Sequence, residues 1–234
     1  MYAWLFQGVS VWGRLWEVSL SIPTGVTAVL GANGSGKTTL LKLAARLLKP
    51  DKGLVIGPRR VGAALQNPYL GFLGPTVAED LARTAGGRGA ALSLLREAGL
   101  EYAAERSPFT LSMGEARILS VLMAVSWQPE AVVIDEPTSG LDVSGRRWLA
   151  RVIAGLDTPV LIAGHDLDFA AAVADWAVVL GEGRVRAEGY MDTILETISR
   201  RPDLGLEPGP AVKAALERGL DPRCTARCVY GVGR

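Results

Sequence analysis

Residues 31–38, Gly-Ala-Asn-Gly-Ser-Gly-Lys-Thr, restrict this chain more than any other segment. They satisfy the spacing G-x-x-x-x-G-K-[ST]. The apolar run Thr27–Leu30 precedes them, and a leucine-rich helical pattern starts at Lys37. A strand, a glycine loop and a helix in that order form a cradle for polyphosphate. The glycines let successive backbone N–H groups face one centre, which a Cβ would obstruct. The helix adds its positive end. Lys37 is then within reach of β- and γ-phosphates, and the Thr38 hydroxyl can ligate Mg²⁺. Gly31, Asn33, Gly34, Ser35, Gly36, Lys37, Thr38 and Thr39 are the candidate nucleotide-binding residues of this loop.

A second segment carries matching chemistry. Val132-Val-Ile-Asp-Glu-Pro137 reads as a buried strand that ends in carboxylates. In a parallel sheet such an end lies at the carboxyl edge, beside the phosphate loop. Asp135 is placed to hold Mg²⁺ through its water shell. Glu136 points elsewhere and can polarise an attacking water.

Composition excludes several classes. Hydrophobic residues make up 49% of the 234, enough for a real core, so a disordered chain is excluded. A net charge of +1 argues against a generic nucleic-acid or polybasic membrane binder, and no nucleic-acid partner is expected. The charge-free stretches Met1–Gly13 and Ile118–Gln128 are too short to span a bilayer. Met1–Gly13 also lacks the marks of a signal peptide, so a cytoplasmic location is expected. The two cysteines, Cys224 and Cys228, are expected to be thiols in a frayed tail.

Strand and helix patterns alternate along the chain. Trp16, Val18, Leu20 and Ile22 alternate with polar residues, which predicts a strand over 14–22 with Trp16 in the core. The helix from Lys37 is expected to run through Leu48, where Lys49-Pro50 stops it. Val61–Leu65, Ala131–Ile134 and Val160–Ala163 read as strands, and 144–155 as a helix. Ala177–Leu180 and Arg184–Ala187 flank a Gly-Glu-Gly turn, a hairpin pattern. The expected fold is α/β, a mainly parallel sheet with helices on both faces. Residues 1–66 and 120–200 are assigned to the sheet core, 67–119 to a helical insertion and 201–234 to a tail with a short helical piece near Ala211–Arg218. Ser112-x-x-Glu115 is a capping box, so a helix should begin at Met113 and offer a second anion site.

Over residues 1 to about 196 the sequence resembles the ATP-binding cassette family. Gln66 follows a strand as that family's Q-loop glutamine does. Leu111-Ser112-Met113-Gly114-Glu115 is similar to its LSGGQ signature, with Met113 in place of a glycine. Ser139-Gly140-Leu141-Asp142 is similar to its D-loop, and His165, the one histidine, to its switch histidine. The resemblance implies the P-loop NTPase (RecA-like) core with antiparallel β strands and a helical subdomain. It implies ATP and Mg²⁺ as cofactors, with Thr38, Gln66 and Asp135 at the metal. Catalysis would fall to Glu136, His165, Gln66 and Lys37, with Trp12 stacking on adenine. Ser112, Met113, Gly114, Glu115 and Asp142 would serve the nucleotide of a second cassette chain, identical or not. Integral membrane transporter subunits are the other implied partners, which places the chain on the inner face of the membrane.

Within the family, Gln66-Asn-Pro68, Pro75-Thr-Val-Ala-Glu-Asp80 and Arg106-Ser-Pro-Phe109 resemble the ATPases of energy-coupling-factor importers. Tyr69, Leu70, Phe72 and Leu73 either form a docking groove for a membrane partner's helix or pack inside the insertion. Two other classes remain open, a soluble cassette ATPase acting on DNA or ribosomes, and a non-hydrolysing, nucleotide-gated module. The absence of heptads and of a second cassette weighs against the first. Glu136 and His165 weigh against the second.

Overall fold

The computed structural model describes residues 1–233. The chain runs through β1 (Tyr2–Val11), β2 (Leu15–Pro23), β3 (Val26–Leu30), α1 (Lys37–Ala44), β4 (Lys52–Ile56), β5 (Val61–Ala64), α2 (Val77–Ala85), α3 (Arg88–Glu97) and α4 (Met113–Ser126). It continues with β6 (Ala131–Asp135), α5 (Val143–Ala154), β7 (Val160–Gly164), α6 (Leu167–Val173), β8 (Trp176–Gly181), β9 (Arg184–Tyr190), α7 (Met191–Arg200), α8 (Pro210–Glu217) and α9 (Pro222–Tyr230).

Two sheets organise these elements. The larger has the order β5-β6-β7-β3-β8-β9, parallel except for the final hairpin. Every residue of β3 and of β6 is buried. Helices therefore cover both faces, as continuous apolar strands require. The smaller sheet, β2-β1-β4, is antiparallel. Its β1–β2 hairpin turns at Trp12-Gly13-Arg14, which puts Trp12 on an exposed tip.

The strand β2 forms where alternation predicts it, but Trp16 is not in the core. Glu17 adopts a left-handed backbone (φ 50°), and the β1–β2 register shifts beside it. The amide freed by this bulge donates to Ser10 Oγ (3.0 Å). One extra residue reverses the side-chain parity, so Leu15 is buried and Trp16 is 36% exposed. Helix α1 also stops short of Leu48. Arg46 turns left-handed (φ 60°), and its guanidinium donates to the carbonyls of Gly57 (3.0 Å) and Pro58 (2.9 Å). Leu47 is left exposed.

Between β5 and β6 the chain forms a helical layer. Val77, Leu81, Leu95, Leu100 and Leu119 centre its own apolar cluster, separate from those flanking the large sheet. The final helices pack back onto α6. Asp168 caps α8 by accepting from the amides of Ala211 (2.8 Å) and Val212 (3.0 Å). Arg223 lies between Asp175 (3.1 Å) and Asp192 (3.4 Å). Tyr230 meets Phe169 edge to face at 5.5 Å. The tail is therefore not frayed. Cys224 and Cys228 lie one helical turn apart on the exposed face of α9, because Ala226 and Tyr230 take the inner face.

Candidate active site

Four strand ends meet at one edge of the large sheet. Leu30, the last residue of β3, pairs with Gly164 at the end of β7, and Asp135 of β6 pairs with Ala163. Ala64 at the end of β5 pairs with Ile134. The topology thus brings the phosphate loop, Asp135-Glu136, His165 and Gln66 to neighbouring strand ends. A cleft of about 450 Å³ opens there, lined by Gly13, Arg14, Gly34, Lys37, Gln66 and Glu136 among others.

The phosphate loop is tightly seated. A Cβ on Gly31 would come within 2.3 Å of the Leu180 carbonyl oxygen, and one on Gly36 within 2.6 Å of the Leu15 side chain. Only glycine fits both positions. Lys37 is 6% exposed, and its Nζ donates to the loop carbonyls of Gly31 (2.8 Å) and Ala32 (3.0 Å). Burial pushes the Lys37 ammonium down, against the pull of Glu136 and Asp135. The lysine bridges the loop it belongs to and lies within the field of both carboxylates.

Thr38 Oγ1 donates to Asp135 Oδ2 (2.7 Å). The other oxygen of Asp135, Oδ1, is buried without a partner, as is Ser35 Oγ. Burial raises the Asp135 carboxyl, while the Thr38 bond and the Lys37 charge oppose the rise. A buried carboxylate with one bare oxygen beside a hydroxyl is a hard donor set, and these residues fit Mg²⁺.

Glu136 leaves the strand in a left-handed conformation (φ 50°), sparsely populated for a residue with a side chain. This turn directs Glu136 away from Asp135 and toward β7. Its Oε2 lies 3.0 Å from His165 Nδ1. Glu136 is largely buried, whereas His165 is 70% exposed. The structure therefore joins Glu136 and His165 in a pair, with the imidazole on the open side. Asp166 caps α6 through the Phe169 amide (3.0 Å) and pairs with Arg146 (3.1 Å).

The remaining candidates lie on a different surface. Ser112 and Glu115 form the capping box of α4, with Ser112 Oγ accepting from the Glu115 amide (3.3 Å) and Glu115 Oε2 accepting from the Ser112 amide (2.7 Å). Asp142 caps α5 through the Gly145 amide (2.7 Å), which holds its carboxyl below the usual range. Ser112, Gly114, Glu115 and Asp142 line an open groove of about 610 Å³. None of them lines the phosphate-loop cleft. Met113 is exposed on the same side. Thr39 and Asn33 do line the cleft, whereas Trp12, exposed next to the lining residues Gly13 and Arg14 in sequence, does not line it. Trp12 packs edge-on against Trp16 at 5.8 Å, and Lys52 Nζ lies 5.3 Å from its ring.

The sequence reading missed Arg14, which lines the cleft, and Arg117, which supports Gln66 from behind. A basic residue directly after Trp12-Gly13 was the available signal for the first. For the second there was none. Of the four apolar docking candidates, Leu70 and Leu73 are exposed, while Phe72 is buried and Tyr69 donates its hydroxyl to the Leu111 carbonyl (2.8 Å). Phe72 and Tyr69 thus pack within the helical layer rather than line a groove.

Comparison with known proteins agrees with this geometry. The ABC transporter family profile matches residues 15–139. A protein of Methanopyrus kandleri, provisionally named an ABC transporter ATP-binding protein, is 34% identical over 229 residues, covering 87% of this chain and 85% of the relative. The energy-coupling factor transporter ATP-binding protein EcfA2 of Symbiobacterium thermophilum is 34% identical over 223 residues, covering 82% and 76%. Among solved structures, cbiO1 of Clostridium perfringens, described as part of the ABC transporter complex cbiONQ, superposes with a TM-score of 0.68 at 23% identity, over 87% of this chain and 97% of that one. With its phosphate loop, paired carboxylates and signature-like capping box, this chain belongs to the ABC transporter family as an ATP-binding subunit, and the family's members are ATPases.

Proposed function

We propose that this chain hydrolyses ATP for an energy-coupling-factor type importer, through nucleotide-dependent closure of two cassettes. One observation carries the reading. The cleft lined by Lys37, Thr38, Gln66 and Glu136 lacks Ser112 and Gly114, which lie in a separate groove. Each chain presents two half-sites, and pairing two chains makes them whole.

The residues take the following roles. Backbone amides of 31–36 and Lys37 bind the β- and γ-phosphates. Thr38, Asp135 and Gln66 hold Mg²⁺, which spreads the charge developing on the phosphoryl oxygens when bound. Glu136 accepts the proton of the attacking water, and His165, held against it, orients that water. Trp12 offers its face to adenine. Ser112 and the first amides of α4, reinforced by the helix dipole, close on the phosphates held by the partner cassette. Loss of phosphate removes the anion that both positive sites share, and the pair opens.

The importer assignment rests on the 34% identity to EcfA2 and on the Gln-Asn-Pro and Pro-Thr-Val-Ala-Glu-Asp segments. Among the described residues no helix is long and apolar enough to cross a membrane. A membrane-spanning partner would therefore supply the path for solute. Exposed Leu70 and Leu73 lie just beyond Gln66, where they can seat that partner and link it to the nucleotide.

Phosphate release tests the chemistry. Glu136→Gln should bind ATP as the parent does and lose about two to four orders of magnitude in turnover. Turnover within a few-fold of the parent would reject the assignment.

A further inference from the structure

Helix α4 carries a buried arginine that the reaction scheme above leaves unused. Arg117 is 1% exposed, one of the largest fully buried side chains in the protein. Its two terminal nitrogens donate to consecutive backbone carbonyls, Nη1 to Leu65 and Nη2 to Gln66, each at 2.6 Å. Its Nε has no partner. A buried guanidinium with an unsatisfied N–H is a costly choice for a helix whose neighbours are apolar. Packing alone would be served by leucine.

The cost has a local reason. Strand β5 is the edge of the large sheet, and it ends at Ala64. Beyond it no ladder receives the carbonyls of Leu65 and Gln66, and a rigid two-pronged donor satisfies both. The same helix touches β5 a second time. A Cβ on Gly62 would lie 2.0 Å from the Ala124 carbonyl oxygen. Ala124 and Arg117 are two turns apart, so one face of α4 grips β5 and its extension at two heights. That helix begins at Ser112 and Gly114.

We infer that Arg117 is a positioning residue that fastens Gln66 to the helix bearing Ser112 and Gly114, so that the two half-sites of one chain shift as a single body. The inference rests on the roles proposed above for Gln66 and Ser112. An arginine suits the task better than lysine because its planar fork fixes two carbonyls at once. Asp135 and Glu136 attract the guanidinium, which partly offsets the effect of burial on its charge.

Hydrogen exchange of the full chain without nucleotide reads the brace directly. In Arg117→Met, exchange over 65–73 should speed up about tenfold or more while 27–45 is unchanged, since loss of the fork frees one local segment. In the same variant kcat should fall about 10- to 100-fold with KM for ATP within about threefold, the pattern of a geometry needed only in the transition state. Arg117→Lys keeps the charge and one bond, so both readouts should fall between parent and Met variant. If the Met variant does not fold, the Lys variant is judged by the same two readouts. Unchanged exchange over 65–73 overturns the inference, and so does loosened exchange with kcat within twofold of the parent. Gln66→Ala separates the two claims. Parental kcat in that variant rejects the role of Gln66, whereas unchanged exchange in the Arg117 variants rejects the brace.

Discussion

Backbone approach, more than side-chain chemistry, decides which residues around this site tolerate change. Gly114 has an ordinary backbone, yet a Cβ there would stand 2.6 Å from the Gly140 carbonyl oxygen. Neither partner is a flexible side-chain end, so α4 would have to move off the 140 loop. Gly114→Ala should therefore lower stability by about 1–3 kcal/mol, as overpacking does. Gly89, inside α3, faces open space. Gly89→Ala should raise stability by about 0.5–1 kcal/mol through a less flexible unfolded chain. Urea midpoints of the two variants, measured together, check both signs. At this scale the sequence was most readable where chemistry dictates type and spacing. Phosphate binding needs glycines and a lysine at fixed intervals, and a cation needs a carboxylate at a strand end. Lys37, Thr38, Asp135 and Glu136 were legible for that reason. Arg117 was not, since an arginine within a helix gives no sign that it faces inward toward two carbonyls. Trp16 was misread because the bulge at Glu17 is set by Ser10, on a neighbouring strand.

Single elements show where local pattern and tertiary packing part company. Strands β3, β6 and β7 were legible as short apolar runs because both faces are covered. Helix α1 was overextended because Leu47 and Leu48 continue the leucine pattern, whereas the break depends on Arg46 reaching distant carbonyls. Helix α9 was missed because its inner face has only Ala226 and Tyr230 among arginines and cysteines. That helix makes a testable claim about pH. Burial, with Asp166 nearby, pushes the Tyr230 hydroxyl up from 10.0 to about 12. The folded state therefore holds this proton more tightly than the unfolded chain. Stability is kept below pH 10 and declines as pH rises through the window from 10 to about 12. By pH 11 the parent should lose about 1 kcal/mol relative to pH 9 from this group. Tyr230→Phe should lack that loss, whatever its stability at pH 9. Urea melts of both proteins at the two pH values measure the difference, and equal losses would show that the hydroxyl is not held in the core.

At the scale of the whole molecule, the phosphate-loop cleft and the groove at the start of α4 are separate surfaces. One face gathers the ends of β3, β5, β6 and β7 into a cleft for a polyphosphate and its cation. Another presents the capped start of α4, with Ser112 and Gly114, beside Asp142 in an open groove. The helical layer and β5 tie these faces together through Arg117 and the Gly62–Ala124 approach. The small sheet leaves Trp12 exposed at its hairpin tip, and the tail helices buttress α6, which follows His165. In the proposed function a second cassette approaches face to face, and a second copy of this chain would provide both complementary surfaces. Sedimentation of Glu136→Gln at saturating ATP and Mg²⁺ measures this most directly. A species of twice the chain mass is expected, reverting to one chain when nucleotide is withdrawn or when Ser112→Arg is added. A variant that binds ATP fully and stays a single chain at every concentration tested would contradict it.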